Sequence, residues 1–305
     1  MSEVLIVGSV AYDGLKTPYG SADRVLGGAA TYSSFAASLF APVKMVGVVG
    51  NDFKDKDMAL IKRHGINTDL VTREKGKTFY WKGYYENDMA VAHTVKIDLG
   101  VFERFDPRIT GRSRKIPFVF LAAIHPDLQM NVLKQMVKPK FVVLDTRDLW
   151  INITKPALMK VLKMTDLVVV NDQEIRLLTG EMHLMKGARA LQKLGPKTVI
   201  VKKGEHGAML FGPGWTFLSP AVPLDYVVDP TGAGDTFAGA FIGYVARAGK
   251  LTPDVLKQAV IAGNLVASFT VQGLGTKSIA ALNKAKLRKR AVEYHRFASI
   301  PKVSI

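Results

Sequence analysis

Short apolar runs rich in β-branched residues recur along the chain, and they predict buried strands. The predicted strands are Val4–Val7, Lys44–Val49, Phe118–Leu121, Phe141–Leu144, Leu167–Val170 and Thr198–Lys202. Segments between several of them carry apolar residues at helical spacing and predict the helices Met130–Val137, Pro156–Lys163 and Gly187–Leu194. Strand–helix alternation favours an α/β fold with a mostly parallel central sheet and helices on both faces.

The final third of the chain has a different pattern. From Thr236 onward, helical spacing dominates and predicts helices over Phe237–Arg247, Pro253–Val271 and Ala280–Phe297. No internal repeat and no low-complexity linker interrupts the chain. Residues 1–305 are therefore predicted to form a single domain.

One segment breaks the alternation of strands and helices. Residues 78–86 and 90–98 predict two strands joined by Asn87-Asp-Met89, where Asn and Asp support turn conformations. A hairpin inserted in an α/β domain predicts a small β lid at about 78–98, with a contribution from about 14–25. Its aromatic side chains either line a pocket or subunit contact or pack on the parent domain, and the pattern leaves both open.

Composition narrows the function by exclusion. The 305 residues are 48% hydrophobic and 22% charged, which is ordinary for a soluble globular protein. The chain has no cysteine, which excludes thiolate catalysis, disulfides and Cys-based zinc sites. The first residues lack a signal-peptide pattern, and no stretch approaches the roughly 20 apolar residues that span a bilayer. We therefore expect a cytoplasmic protein without a membrane partner.

The net charge of +16 raises the question of nucleic-acid binding. Basic residues are spread along most of the chain, and no aromatic–basic interleaving marks a base-stacking platform. The densest cluster lies in the predicted C-terminal helix and comprises Lys284, Lys286, Arg288, Lys289 and Arg290. A solvated helix face is favoured there over a contact with nucleic acid or another polyanion.

The segment that carries chemistry runs from Val227 to Phe241. It places Gly232, Ala233 and Gly234 at the N-terminus of a helix, where unpaired N–H groups and the helix dipole favour an anion. Asp235 follows on the first turn, where its carboxylate can take a proton from a hydroxyl beside the anion. Such an arrangement suits phosphoryl transfer. The alternative is a helix cap alone, since Asp is favoured at helix starts.

The string Asp229-Pro-Thr-Gly-Ala-Gly-Asp235 resembles the C-terminal signature of the ribokinase-like (PfkB) carbohydrate kinase family, and the resemblance extends over nearly the whole chain. It implies a ribokinase-like fold with a small β lid. It also implies transfer of the γ-phosphoryl group of ATP to a hydroxymethyl group of a sugar or ribonucleoside, with Asp235 as base. A catalytically weak regulator that binds nucleotide or sugar phosphate is the alternative, and the presence of Asp235 and the anion-hole glycines argues against it.

Further positions resemble the family's acceptor site. Asp13 takes the place of the acidic residue that binds acceptor hydroxyls, and Gly27-Gly28 resembles the N-terminal glycine pair. Tyr32 stands where the family often has Asn. This departure and the aromatic hairpin indicate a flat acceptor such as a nucleoside, because rings stack on aromatic side chains; a free sugar or sugar phosphate stays open. Asp145, at another strand end, is a further substrate-binding candidate.

The nucleotide side of the resemblance begins at Asn171 and Glu174, which follow a predicted strand and match an Asn-x-x-Glu motif. This motif implies Mg²⁺ held through water between phosphates, and the same residues also fit a capping box. The other implied nucleotide-binding residues are Lys202, Gly204, Gly207, Asn264 and Ser268. Lys202 stands where the family commonly has Thr, and it either reaches a phosphate as a point charge or is solvated.

The resemblance implies two more properties. Asp229 and Thr231 occupy the position at which many relatives hold a monovalent cation, so K⁺ is an expected cofactor beside Mg²⁺ and ATP. Lid hairpins of the family often pair between subunits, which makes a homodimer through the β lid an expected assembly.

Overall fold

The computed structural model describes residues 1–89 and 91–299, in which strands and helices alternate along most of the chain. The strands are β1 (Val4–Val7), β2 (Ala11–Thr17), β3 (Gly20–Gly27), β4 (Val43–Gly50), β5 (Ile66–Glu74), β6 (Phe79–Tyr85), β7 (Ala92–Asp98), β8 (Phe118–Leu121), β9 (Phe141–Asp145), β10 (Leu167–Asn171), β11 (Thr198–Lys202), β12 (Ala208–Gly212) and β13 (Trp215–Ser219). The six strands predicted from apolar runs are confirmed as β1, β4 and β8–β11.

The helices fall between and after these strands. They are α1 (Ala29–Ser38), α2 (Asp55–Arg63), α3 (Pro126–Gln135), α4 (Asp148–Ile153), α5 (Lys155–Leu162), α6 (Asp172–Thr179), α7 (Leu184–Gln192), α8 (Ala233–Ala248), α9 (Pro253–Thr270), α10 (Lys277–Ala280) and α11 (Lys284–Phe297). Short 3₁₀ helices lie at Gly100–Arg104, Gly111–Lys115 and Gly204–His206. Among the described residues, no helix combines the length and apolar character needed to cross a membrane.

A nine-stranded sheet in the order β13-β12-β11-β10-β9-β8-β1-β4-β5 forms the centre of the fold. Its strands are parallel except at β11–β12 and β12–β13. Every residue of β1 is buried, as expected for a parallel strand covered on both faces. Ile6 joins the core that includes α1, α8 and α9, whereas Leu5 joins the core that includes α3, α5 and α7. The predicted α/β fold with helices on both faces is confirmed.

A second, four-stranded sheet has the order β3-β2-β6-β7, and we call it the small sheet. The predicted hairpin provides β6 and β7, whose pairing is antiparallel, while β2 pairs with β6 in parallel. Ala90, the first residue of the second predicted strand, lies outside the described residues. Asp52, which follows β4 of the central sheet, connects that sheet to the small sheet. Its carboxylate accepts hydrogen bonds from the amide and the hydroxyl of Thr78 and forms an ion pair with Arg24 of β3 at 2.6 Å.

The predicted helix over Ala280–Phe297 ends as expected but begins later. Helix α10 ends at Ala280, and α11 begins only at Lys284, after Asn283, whose side chain accepts a hydrogen bond from the Lys286 amide. Asn is a preferred N-cap, so its side chain offers the backbone an alternative to a continuous helix.

The expectation of a solvated basic face on α11 holds for only part of the cluster. Lys284, Lys286, Arg288 and Lys289 are exposed. Arg290 instead lies on the Phe269 ring, 3.5 Å from its centroid, and donates to Ser268 and Gln272. Its guanidinium is therefore part of the contact between α11 and α9.

Candidate active site

The N-terminus of α8 is the centre of the site. Its N-cap Gly232 has φ 74°, a left-handed conformation that glycine adopts without strain. A methyl group added there would fall 2.5 Å from carbons of the Tyr32 ring, so glycine is also required by close packing. Asp235 lies on the first turn, where Ser33 Oγ donates to its carbonyl oxygen at 3.0 Å and holds the turn against α1. The helix therefore presents amides and a carboxylate at one point.

The carboxyl of Asp235 is suited to exchange a proton near neutral pH. Burial, followed by the negative charge of Asp145, raises its pKa to about 7, against the opposing effects of Lys202 and Arg147. A base works best when its pKa is close to the working pH. The environment of Asp235 thus fits the predicted role of a base.

The loop that leads into α8 is held by Asp229. Its Oδ1 accepts a hydrogen bond from the Thr231 amide at 2.9 Å, and its Oδ2 accepts one from the Gly275 amide at 2.8 Å. The carboxyl is buried, and burial raises its pKa against these hydrogen bonds. Asp229 therefore has a structural role in joining two loops, and the monovalent-cation site at Asp229 and Thr231 stays a prediction.

Asp13 lies at what we call the acceptor end of the site. Its carboxyl is buried, and a methyl group added to Gly27 would fall 1.9 Å from Oδ2. The Gly28 amide donates a hydrogen bond to the same carboxyl. Burial, with the negative charges of Asp229 and Asp235, raises the pKa of Asp13 to about 8. Gly27 is thus required by the close approach of the Asp13 carboxylate, and Gly28 by its φ of 91° and its packing on the Ser9 carbonyl oxygen.

Tyr32 of α1 also lies at the acceptor end, where the charge of Asp13 acts on it. Its side chain is 1% exposed, and among the described residues its hydroxyl has no hydrogen-bond partner. Burial and the charges of Asp13, Asp229 and Asp235 raise its pKa. The structure therefore brings Tyr32 within the electrostatic influence of Asp13 and Asp235, and a role of these residues in acceptor binding stays a prediction.

The opposite side, which we call the phosphate end, contains Lys202 at the end of β11. Its Nζ lies 3.4 and 3.5 Å from the two carboxylate oxygens of Asp145, at the end of β9. A methyl group added to Gly234 would be 3.0 Å from Nζ, so the ammonium lies beneath the first turn of α8. The side chain is 18% exposed, and the alternative of a solvated Lys202 is therefore wrong.

Charges at the phosphate end are partly balanced. Burial opposes the ammonium charge of Lys202, but Asp145, Glu174 and Asp235 outweigh it and raise its pKa. Burial raises the pKa of Asp145 and that of Glu174, the latter to about 7, while Lys202 lowers both. One buried cation therefore lies among three carboxyl groups.

Asn171 and Glu174 form the capping box at the start of α6. Asn171 Oδ1 accepts from the amides of Gln173 and Glu174, and Glu174 Oε2 accepts from the Asn171 amide at 2.7 Å. The capping interpretation is confirmed. The box also fixes Glu174 on the side of Lys202, so it is compatible with the predicted metal role.

Two of the remaining predicted nucleotide positions, Gly207 and Asn264, contact the loop after β13. Gly207 packs against it, since an added methyl group would fall 2.1 Å from the Ser219 carbonyl oxygen. Asn264 donates to Ser219 Oγ at 2.9 Å and to the Pro220 carbonyl at 3.0 Å. Ser268 accepts from Arg290 on the same side of α9. Gly204 has φ 56° in the turn before β12. Adenine contact by these residues stays a prediction.

Tyr85 of the small sheet is a site residue that the sequence did not single out. Its hydroxyl accepts a hydrogen bond from Thr231 Oγ1 at 3.2 Å. The other hairpin aromatics have different contacts; Phe79, for example, stacks on Phe102, and Tyr84 stacks on His93. Alternation along β6 puts Tyr85 and Tyr84 on opposite faces, but only the tertiary structure shows which face meets the site.

Comparison with known proteins agrees with this geometry. The model of the pfkB family of carbohydrate kinases matches residues 128–282, slightly more than half of the chain. Cytidine kinase of Thermococcus kodakarensis is 28% identical over 255 residues, which cover 81% of this chain and 90% of that protein.

Solved structures share the fold. The nucleoside kinase of Methanocaldococcus jannaschii, an archaeal member of the ribokinase family, superposes with a TM-score of 0.77 at 19% identity, covering 96% of this chain and 99% of that one. Burkholderia thailandensis nucleoside kinase in complex with inosine gives a TM-score of 0.76 at 20% identity, covering 98% of this chain and all of that one (100%).

Proposed function

The chain belongs to the pfkB family of carbohydrate kinases and is a small-molecule kinase, and from this premise we propose that it transfers the γ-phosphoryl group of ATP to a hydroxymethyl group of a ribonucleoside or sugar, with Asp235 as base. One observation carries the proposal. The Asp235 carboxyl, with its pKa raised to about 7, lies on the first turn of α8 between Asp13 at the acceptor end and Lys202 at the phosphate end.

The reaction follows from these positions. The acceptor hydroxyl gives its proton to the Asp235 carboxylate while its oxygen forms a bond to the γ-phosphorus. The bond from that phosphorus to the β–γ bridging oxygen breaks, and ADP leaves with the bonding electron pair. The amides of Gly232–Gly234 and the ammonium of Lys202 stabilise the negative charge on the transferred group. Asp13 orients the acceptor by accepting hydrogen bonds from its other hydroxyls.

Glu174 is our proposed residue for Mg²⁺. The ion, when bound with ATP, neutralises charge on the phosphates. A carboxylate is the hard oxygen donor that Mg²⁺ prefers, usually with several waters retained. Asn171 Oδ1 already accepts from two amides, so we assign Asn171 the role of fixing Glu174. Among the described residues no group of three or more acidic or histidine side chains forms a metal cluster, which agrees with an ion held mainly by phosphates and water.

A ribonucleoside is our preferred acceptor class. The charged groups that act on Asp13 are Asp229 and Asp235, both negative, so an uncharged acceptor fits this end better than a sugar phosphate. The names of the relatives support the same choice, since one is a cytidine kinase and one neighbour holds inosine. The K⁺ site and the dimer through the small sheet are proposals that rest on the family resemblance, and the cytoplasmic location likewise stays a proposal.

An ATP-consumption assay tests the proposal. Wild type and Asp235→Asn are compared on cytidine, inosine, ribose and ribose 5-phosphate with Mg²⁺. We expect turnover of at least one uncharged acceptor and a loss of roughly 10³-fold in kcat for the variant, since a general base contributes about that much. Equal turnover in the two proteins would refute the assignment of the base. Binding of ATP without turnover of any acceptor would support a regulator instead.

A further inference from the structure

One face of the small sheet is directed toward the active-site loops. Asp13 of β2 is paired with Trp81 of β6, and residues paired directly across neighbouring strands point to the same face. Tyr85, four positions after Trp81, lies on that face as well, because side chains alternate along a strand. Its hydroxyl accepts from Thr231 Oγ1 at 3.2 Å. Trp81 therefore lies on the face that carries Asp13 and meets the loop before α8.

The indole of Trp81 is held along this face. Its Nε1 donates to Thr94 Oγ1 of β7 at 3.1 Å, which fixes the orientation of the ring. A methyl group added to Gly83 would collide with Cζ2 and Cη2 of the indole, so glycine at this position allows the ring to pack on the backbone of β6. The side chain is only half-buried. Part of the ring is therefore accessible to a ligand.

The ring of Trp81 also lacks the aromatic contacts that its neighbours on β6 make. Phe79 stacks on Phe102, and Tyr84 stacks on His93. In the part of the chain that the structure describes, no aromatic ring stacks on Trp81. An accessible indole without a ring partner is suited to stack on a flat heteroaromatic group, because every nucleobase presents a π-face.

We propose that Trp81 determines acceptor specificity by stacking its indole on the base of a nucleoside whose ribose is held by Asp13. Neighbouring strands lie about 4.8 Å apart, so a base attached to a sugar at Asp13 is within reach of the indole. This inference rests on the proposed function and deepens it, because it names the group that recognises the base. Stacking tolerates different bases. The enzyme is therefore expected to use purine and pyrimidine ribosides and to prefer both to a sugar without a base.

The test compares cytidine and inosine with methyl β-ribofuranoside, which keeps the furanose and its hydroxymethyl group but has no base. For Trp81→Leu we expect kcat/KM with the two nucleosides to fall roughly 10- to 100-fold, the range of one base–aromatic stack. We expect kcat/KM with methyl β-ribofuranoside and the KM for ATP to stay unchanged. Trp81→Phe keeps an aromatic ring and is expected to restore most of the preference for nucleosides.

Gly83→Ala tests the placement of the ring without removing it. The added methyl group displaces the indole, so we expect a selective loss with nucleosides, smaller than that of Trp81→Leu. The matched control is Tyr84→Leu. Tyr84 is an exposed aromatic residue of the same strand on the opposite face, so its loss is expected to leave the ratio of kcat/KM for nucleosides to that for methyl β-ribofuranoside unchanged.

The outcomes separate the two claims. If wild type turns over none of the three acceptors, the proposed function is refuted and this inference with it. If wild type is active and Trp81→Leu keeps its kcat/KM for nucleosides, or loses the same factor with methyl β-ribofuranoside, only the role of Trp81 is refuted. A change of oligomeric state in Trp81→Leu, measured by light scattering, together with an unchanged preference for nucleosides would assign Trp81 to a subunit contact instead.

Discussion

The acceptor end and the phosphate end of the site differ in whether a nearby cation balances the negative charge of their carboxyl groups. Burial and the charges of two further carboxyl groups raise the pKa of Asp13, at the acceptor end, to about 8, and a single backbone amide opposes them. Burial also raises the pKa of Asp145 and of Glu174 at the phosphate end, the latter to about 7, but there the ammonium of Lys202 opposes the rise. The acceptor end therefore binds a proton readily, whereas the phosphate end contains the ammonium of Lys202.

This difference matches the two substrates of a kinase. Uncharged acceptor hydroxyls donate hydrogen bonds to carboxylates without needing a cation, whereas the phosphates of ATP carry negative charge that must be compensated. Asp235 lies where the two ends meet. After burial, its pKa responds to Asp145 and Lys202 of the phosphate end, and its own charge raises the pKa of Asp13 at the acceptor end. A base at this boundary receives a proton from the neutral side while the charged side holds the phosphoryl group.

Removal of the Lys202 ammonium is expected to have the largest effect, and it tests whether the two ends differ as described. Lys202→Met leaves the carboxyl groups of Asp145, Glu174 and Asp235 without their shared ammonium. We expect kcat/KM for ATP to fall by roughly 10²-fold and the free energy of unfolding to fall by about 3 kcal/mol, as when one partner of a buried ion pair is lost. Steady-state kinetics with varied ATP and urea denaturation measure the two effects.

Lys203→Met is the matched control for this variant. Lys203 neighbours Lys202 but follows the end of β11, where its amide donates to the Gly207 carbonyl. We expect near wild-type kinetics for Lys203→Met. If Lys202→Met keeps the wild-type KM and kcat with ATP, the phosphate end needs no protein cation and the comparison fails.

Titration provides a second, smaller test. The Asp235 base must be ionised, so kcat/KM is expected to rise tenfold per pH unit below about 7 and to level off above it. A profile with its acidic limb near pH 4 would show that Asp235 is not the titrating base, because that is the range of an ordinary Asp.

The free energy of unfolding is expected to fall as pH rises, whereas kcat/KM is expected to rise. The pKa values of Asp13 and Asp235 are raised to about 8 and about 7, above the 3.8 of a free Asp. The folded protein therefore binds more protons than the unfolded chain in this window. The contribution of these two carboxyl groups to stability is fully present below about pH 4 and is lost as pH rises toward about 8. Asp13→Asn is expected to remove about one proton from the slope of unfolding free energy against pH; an unchanged slope would contradict a raised pKa for Asp13.

The local part of the site could be predicted from the sequence because one contiguous string contains it. Asp229 to Asp235 holds the loop anchor, the left-handed glycine cap and the proposed base within seven residues. The strands were predictable for a similar reason, since burial on both faces leaves an unbroken apolar run. The start of α11 was predicted too early, at Ala280, although a preferred N-cap residue stands at Asn283.

Long-range contacts could not be predicted in this way. The Lys202–Asp145 pair joins residues 57 positions apart, and the Thr231–Tyr85 hydrogen bond joins residues 146 positions apart. Periodicity reports which face of an element is apolar, but not which element meets it. A lysine at a strand end therefore looked equally compatible with solvent and with a phosphate site, until the structure showed that β9, two strands away in the sheet, places a carboxylate beside it.

The smallest expected effect concerns Tyr85, which connects the small sheet to the acceptor side of the α8 loop. Tyr85→Phe removes the oxygen that accepts from Thr231 Oγ1 at 3.2 Å. One neutral hydrogen bond is lost, so we expect the KM for the acceptor to rise about threefold and the free energy of unfolding to fall by less than ~1 kcal/mol. Tyr84→Phe is the matched control, because Tyr84 is exposed and stacks on His93 of the same sheet. A rise in the KM for ATP, with the acceptor KM unchanged, would assign Tyr85 to the phosphate end; equal effects of the two variants would mean that the contact with Thr231 contributes nothing specific to the site.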